Sequence, residues 1–193
     1  MKRSKITILL AIVLGMTFHS CLDLEPQDQL GGKNMWTSVN DYKQFANTFY
    51  SWTRDFSSVV YDGTHSDKRS DLITYQSYNE FSRGINSIPS SDANYTDNYK
   101  HIRRTNLLLQ NAEAYAKPED IKQYIGEAYF FRAYSYFDLL QLYGDVIITK
   151  KPLDITDPEM KVKRNDRSEV VDLIIDDLNH AVENLPAFKE LTT

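Results

Sequence analysis

One cysteine in 193 residues rules out a disulfide within the chain. The four histidines, His19, His65, His101 and His180, stand singly. None forms the HxxH or HxxxH pair that a helical zinc site uses. No nucleophile-elbow, P-loop or dinucleotide-binding pattern occurs either. Turn-forming residues are few, with seven glycines and six prolines. The longest apolar stretch, residues 6–16, is eleven residues long and broken only by Thr7 and Gly15. A membrane-spanning helix needs about 20. Basic residues are also short, 22 against 27 acidic ones, for a net charge of −5. Phosphate backbones are bound by Lys/Arg patches, so nucleic acid is not an expected partner.

What stands at the start of the chain is a segment with the pattern of an export signal. Lys2, Arg3 and Lys5 precede the apolar run, and Ser20 and Cys21 follow it. A cytoplasmic protein opening on a buried helix is the plain alternative, but neither amphipathic pattern nor cap surrounds the run. Cys21 reads as the first residue after cleavage, acylated on its sulfur and its new amino group, with Phe18 and Ser20 fitting a lipobox and His19 departing from it. An ordinary free thiol is the alternative. Two or more acyl chains anchor a protein stably where one does not, so the expectation is a protein held to a membrane lipid and not spanning it. Residues 1–20 are expected to be the signal and 21–35 a lipidated tether. Removing the signal takes three basic residues and leaves a charge of −8.

Beyond the tether, aromatic residues make up 12% of the chain, and the pattern is helical. A first helix is predicted from an N-cap at Thr37 or Ser38 through residue 56, burying Tyr42, Phe45, Ala46, Phe49, Tyr50 and Trp52. Residues 57–94 read as a long polar loop with tyrosines and a short helix around 72–81. Such loops are uncommon and tend to be functional or disordered. A second helix fits 92–116. A third runs from Pro118 at its first turn to Gly144 as its stop. The third is apolar nearly all round, as a helix sandwiched between neighbours is. A short extended piece is expected at 146–149. A fourth helix begins at a capping box of Asp166 and Glu169 and ends near Pro186. Its expected buried face is Val170, Val171, Ile174, Ile175, Leu178, Ala181, Val182 and Leu185. The expected class is mainly all-α, a helical-repeat array of the tetratricopeptide kind.

Four blocks in order carry a family resemblance. CLDLEP follows the signal. YTDNYKHIRRTNLLLQNAE places Tyr95, Tyr99, Ile102 and Asn106 at aromatic–x3–Tyr–x2–Ile–x3–Asn spacing. GEAYFFRAYSYFDLLQLYGDVIIT carries Glu127, Arg132, Ala133, Tyr136, Phe137, Leu140, Gly144 and Asp145. RSEVVDLIIDDLNHAVENLP closes the series. Together they resemble the SusD/RagB nutrient-uptake lipoproteins of Bacteroides-like bacteria. Tyr95 stands where that family often has Trp, and Ile147 where a Val-Pro pair is common. The family's members are longer, so residues 36–193 are expected to be an incomplete SusD-like helical domain. The resemblance implies a non-enzymatic protein on the outside of the outer membrane. It would capture an oligosaccharide and close over a SusC-like TonB-dependent transporter.

Sugar rings present apolar faces ringed by hydroxyls, so their sites pair flat aromatics with short polar donors. Asp67, Arg69, Tyr75, Tyr78, Tyr95 and Asn98 are the candidate glycan contacts. Tyrosines that merely pack on the helices are the alternative. Glu127 and Arg132 are expected in a buried polar network with Asn106, since a buried charge must be paired. Asp62, Asp67, Asp71 and Glu80 could be drawn as a glycosidase pair, though solvated loop acids are commoner. A surface glycoside hydrolase and a helical adaptor for another protein are the competing functions. No cofactor is expected. A structural calcium in a longer protein stays open, although the stretch from Asp62 to Asp67 lacks the alternating oxygen ligands of an EF-hand loop.

Overall fold

A computed structural model describes residues 35–54, 83–85, 87–154 and 156–187. The chain divides into two units, Met1–Met35 and Trp36–Thr193, and every element below belongs to the second. Cys21, the 22–34 tether and the helix expected around 72–81 lie outside the described residues.

Helix α1, Val39–Asn47, starts where Ser38 and Asp41 form a reciprocal capping box. The Asp41 carboxylate accepts from the Ser38 N–H at 2.8 Å and the Thr37 N–H at 3.1 Å. The continuous helix predicted to residue 56 does not form. After Asn47 the chain tightens into a 3₁₀ turn, Thr48–Trp52. The hydroxyls of Thr48, Ser51 and Thr53 each donate to the carbonyl three residues back, at 2.7–2.8 Å. Such bonds compete with the α-helical ladder. The tighter winding turns Tyr50 outward, leaving it 52% exposed instead of on the buried face.

Helix α2, Ala93–Glu113, is capped by Asp92, and α3, Lys122–Tyr143, follows a 3₁₀ turn at Pro118–Ile121. Gly144 ends α3 at φ +71, a conformation that L side chains rarely adopt. Helix α4, Arg167–Asn184, opens on the capping box of Asp166 and Glu169. Contacts between ends show that the three long helices run antiparallel in succession. The Tyr143 hydroxyl donates to Asp92 at 2.7 Å, joining the end of α3 to the start of α2. The Arg167 N–H donates to Asp145 at 3.0 Å, joining the end of α3 to the start of α4. At the other end of the pair, Gly126 lies so close to α4 that a Cβ there would sit 3.0 Å from Leu185 Cγ.

Helix α3 is the middle layer, packed on α2 along one side and on α4 along the other. That position accounts for most of its apolar surface, although Phe130 and Phe137 remain exposed. Ile102, Ala133, Tyr136, Leu139, Val146, Val170, Leu173 and Ile174 form the core between these helices. Under α1 lies an aromatic cluster of edge-to-face contacts linking Trp36, Tyr42, Phe45, Phe49 and Phe131. No strand occurs among the described residues; residues 146–149 run extended with one bridge, Val146 to Asn165.

The buried face expected on α4 is only half covered. Val170, Leu173, Ile174 and Ala181 are buried with Asp177, but Val171, Ile175, Leu178, Val182 and Leu185 are 36–78% exposed. The apolar arc of α4 is wider than the single neighbour α3 can cover. Leu139→Ala should therefore cost about 2–5 kcal/mol, and Val182→Ala should stay within about 0.5 kcal/mol. Denaturant unfolding of both variants measures this; comparable losses would mean that the outer face of α4 is packed.

Candidate glycan-binding cleft and the network beneath it

Arg132 projects from the middle of α3 and is 5% exposed. Asp177 of α4, fully buried, accepts from its Nε at 2.8 Å and its Nη2 at 2.6 Å. The remaining nitrogen donates to Asn106 Oδ1 of α2 at 2.8 Å. Burial disfavours the charge, yet the hydrogen bonds and opposite charge of Asp177 outweigh it and hold the guanidinium above its ordinary pKa. The same guanidinium lies 5.2 Å from the Tyr129 ring centroid. One side chain thus joins three helices through a bidentate, charge-assisted pair.

Asn106 carries the connection outward. Its Nδ2 donates to the carbonyls of Thr149 at 3.0 Å and Lys151 at 3.3 Å. Tyr136 and Tyr99 hold the same extended segment. The Tyr136 hydroxyl accepts from the Thr149 N–H at 2.7 Å and donates to its carbonyl at 3.2 Å. The Tyr99 hydroxyl does the same at Ile147, at 2.9 and 2.8 Å. Asn165 Oδ1 accepts from the Ile148 N–H at 2.9 Å. Lacking a full sheet partner, the segment has its backbone groups satisfied by side chains.

Glu127 does not join this network. Gln123 Nε2 donates to its Oε1 at 2.9 Å, and Tyr50 lies within hydrogen-bonding contact. Its Oε2 has no partner among the described residues. Burial raises the Glu127 pKa against those hydrogen bonds. The Tyr50 hydroxyl is pushed up to about 12 by burial and by the neighbouring carboxylate.

Between α2 and the extended segment lies a cleft of about 450 Å³. Tyr95 and Tyr99 of α2 line it together with Ile147, Thr149, Leu153 and Met160 from the chain after α3. Lys100, Arg103 and Lys151 stand at its edge with Glu159. The three cations are each paired: Lys100 with Asp97 at 2.7 Å, Arg103 with Asp154 at 3.6 Å, Lys151 with Glu159 at 2.7 Å. The cleft therefore combines apolar and aromatic surface with a rim of charged hydrogen-bonding groups that nearly balance. That suits a neutral, hydroxyl-rich ligand better than a strongly charged one.

Of the candidate contacts named from sequence, Tyr95 is in this cleft. Asn98, three residues on, is 9% exposed and spends its amide on the Asn94 carbonyl at 2.8 Å. Asp67, Arg69, Tyr75 and Tyr78 lie outside the described residues, as do Asp62, Asp71 and Glu80. The remaining cleft residues were not named as glycan contacts from the sequence. Tyr99 was legible only as a helix position, and Lys151 and Glu159 fall in what read as a polar linker. Among the described residues no group of three His, Cys, Asp or Glu side chains could hold a metal ion. His101 is stacked on Trp52 with centroids 4.1 Å apart, and His180 on Tyr129 at 4.9 Å. No described helix is long and apolar enough to cross a membrane.

Residues 22–193 match the SusD-like family described as "Starch-binding associating with outer membrane". The chain belongs to that family. SusD-like protein P38 of Formosa agariphila is 28% identical over 204 residues, covering 95% of this chain and 38% of its own length. The chain thus spans less than two-fifths of that relative. A SusD-like protein of Bacteroides fragilis superposes with a TM-score of 0.65 at 26% identity, over 83% of this chain and 32% of its own. A laminarin-binding SusD-like protein superposes at 0.50 with 31% identity, over 55% of this chain and 23% of its own. The mainly helical, tetratricopeptide-like class expected from sequence is the class of these structures.

Two outcomes follow. Asp177→Ala should cost about 3–5 kcal/mol by stranding a buried cation, and the double change Arg132→Met with Asp177→Leu should cost less. Equilibrium unfolding of both decides this. For Glu127, the folded state keeps a proton that the unfolded state releases above about pH 4.3. Its contribution to stability therefore falls as pH rises through the raised pKa. Glu127→Gln should stabilise more at neutral pH than at about pH 4, as Tm against pH would show; equal shifts at both would contradict the assignment.

Proposed function

We propose that this chain acts as an outer-membrane lipoprotein, anchored through Cys21, which binds an oligosaccharide without cleaving it and delivers it to a SusC-like TonB-dependent transporter. The family match carries this reading, since it starts at residue 22 and runs through 193 in a family described as starch-binding and outer-membrane-associated. A neighbour that binds laminarin supports a glycan as the ligand class. In this chain the cleft beside Tyr95 is the proposed place of contact. The Tyr95 ring, half-buried and 4.8 Å from Tyr99 by centroid, offers a face for a sugar's C–H surface. Lys151, Glu159 and Arg103 offer donors and acceptors for hydroxyls around it.

Isothermal titration with soluble starch and laminarin fragments, run beside a reducing-sugar assay, tests the reading. One of the two should bind without release of reducing ends. Tyr95→Ala should weaken that binding about tenfold, roughly 1.4 kcal/mol, in a protein that still unfolds in one cooperative transition, though at lower stability because the ring also packs on Tyr99 and Tyr143. New reducing ends would favour a glycoside hydrolase, and unchanged binding in Tyr95→Ala would remove the cleft from the account. Loss of labelled palmitate from the protein on Cys21→Ala tests the anchor.

A further inference from the structure

Of the three ion pairs at the edge of the cleft, one differs from the others. Lys100 and Arg103 line the cleft, but their partners Asp97 and Asp154 do not. Lys151 and Glu159 both line it, with Nζ and Oε1 2.7 Å apart. Among the described residues, this pair alone presents a cationic donor and an anionic acceptor side by side to whatever fills the cleft. Its two backbones are held in place. The Lys151 carbonyl accepts from Asn106, and Glu159 sits in the 3₁₀ turn Pro158–Lys161.

The spacing decides what the pair can read. An ammonium has three N–H donors and a carboxylate about four acceptor sites, so each keeps capacity after meeting the other. Asp157 lies 3.9 Å from the same ammonium, too far to take a second donor. A single hydroxyl that accepts from one partner and donates to the other, through hydrogen bonds of about 2.8 Å, holds those partners about 4.5 Å apart. At 2.7 Å the pair is too close for that. Two hydroxyls gauche on neighbouring ring carbons are themselves about one hydrogen-bond length apart. They match the pair, one accepting from Nζ and the other donating to Glu159. Tyr95 of α2 supplies the aromatic face for the ligand's C–H surface.

On the reading of the cleft as a glycan site, on which this rests, we infer that Lys151 and Glu159 determine its specificity. They select glycans whose interior units keep two adjacent free hydroxyls. A 1,4-linked pyranose chain keeps the hydroxyls on C2 and C3 of every unit. A 1,3-linked chain has C3 occupied, and its remaining ring hydroxyls, on C2 and C4, are not neighbours. The ligand class is therefore a 1,4-linked glycan in preference to a 1,3-linked one, whatever its anomeric configuration.

Isothermal titration of the full chain tests this with malto- and cello-oligosaccharides, both 1,4-linked, and with 1,3-linked laminarin fragments of equal length. One of the two 1,4-linked series should bind at least about tenfold tighter than the laminarin fragments. In the double change Lys151→Met with Glu159→Leu, at side chains 49% exposed, that preference should shrink to about threefold or less while circular dichroism stays unchanged. Tyr95→Ala should weaken both linkages and keep the preference. Equal affinity, tighter binding of the laminarin fragments, or a preference that survives the double change overturns the proposal and leaves the glycan cleft standing. Failure of all three to bind overturns the cleft reading itself, and this proposal with it.

Discussion

The buried pair of Arg132 and Asp177 is the constraint on which the rest of the structure depends. A guanidinium inside a small helical domain has no stable position unless its nitrogens are matched, and here α4 supplies two oxygens and α2 a third. Rotation of α3 about its axis by one residue would strand the charge. Apolar packing alone would tolerate several rotations of a helix that is hydrophobic on every side, as α3 is. The pair adds little net stability over a well-packed apolar substitute, and its contribution is to select one register of three helices among those that greasy contacts allow.

That register sets the cleft. Asn106 receives one hydrogen bond from Arg132 and gives two to the backbone of residues 149 and 151. Tyr99 and Tyr136, at fixed positions on α2 and α3, clamp Ile147 and Thr149 by donating and accepting through single hydroxyls. Residues 146–149 are thereby held beside α2, and the cleft opens between them next to Tyr95. Tyr99, Ile147 and Thr149 belong to both parts, since they make the clamp and also line the cleft.

Much of the helical plan was legible because caps and periodicity are local. The box at Asp166 and Glu169 and the stop at Gly144 each need only a few residues to act. The first helix was misread past Asn47 because three hydroxyl side chains, at Thr48, Ser51 and Thr53, pull the backbone into a tighter turn that apolar spacing does not register. The fourth helix was misread because periodicity reports how wide an apolar arc is, not how many neighbours cover it. The candidate site was less legible. Tyr95 could be read as an aromatic at a helix edge, but Lys151, Glu159 and Met160 reach the cleft only through the fold of the segment after Gly144. The role of Asp177 was hidden in an acidic helix, where nothing distinguishes it from Asp172 or Asp176 except the direction it faces.

Native-state hydrogen exchange at the amides of Ile147 and Thr149 tests the link between the buried pair and the cleft most directly. Both amides should exchange as slowly as those in the middle of α3. In Arg132→Met they should become fast while the α3 amides keep most of their protection. Fast exchange in the unaltered protein, or slow exchange that persists in Arg132→Met, would contradict the account.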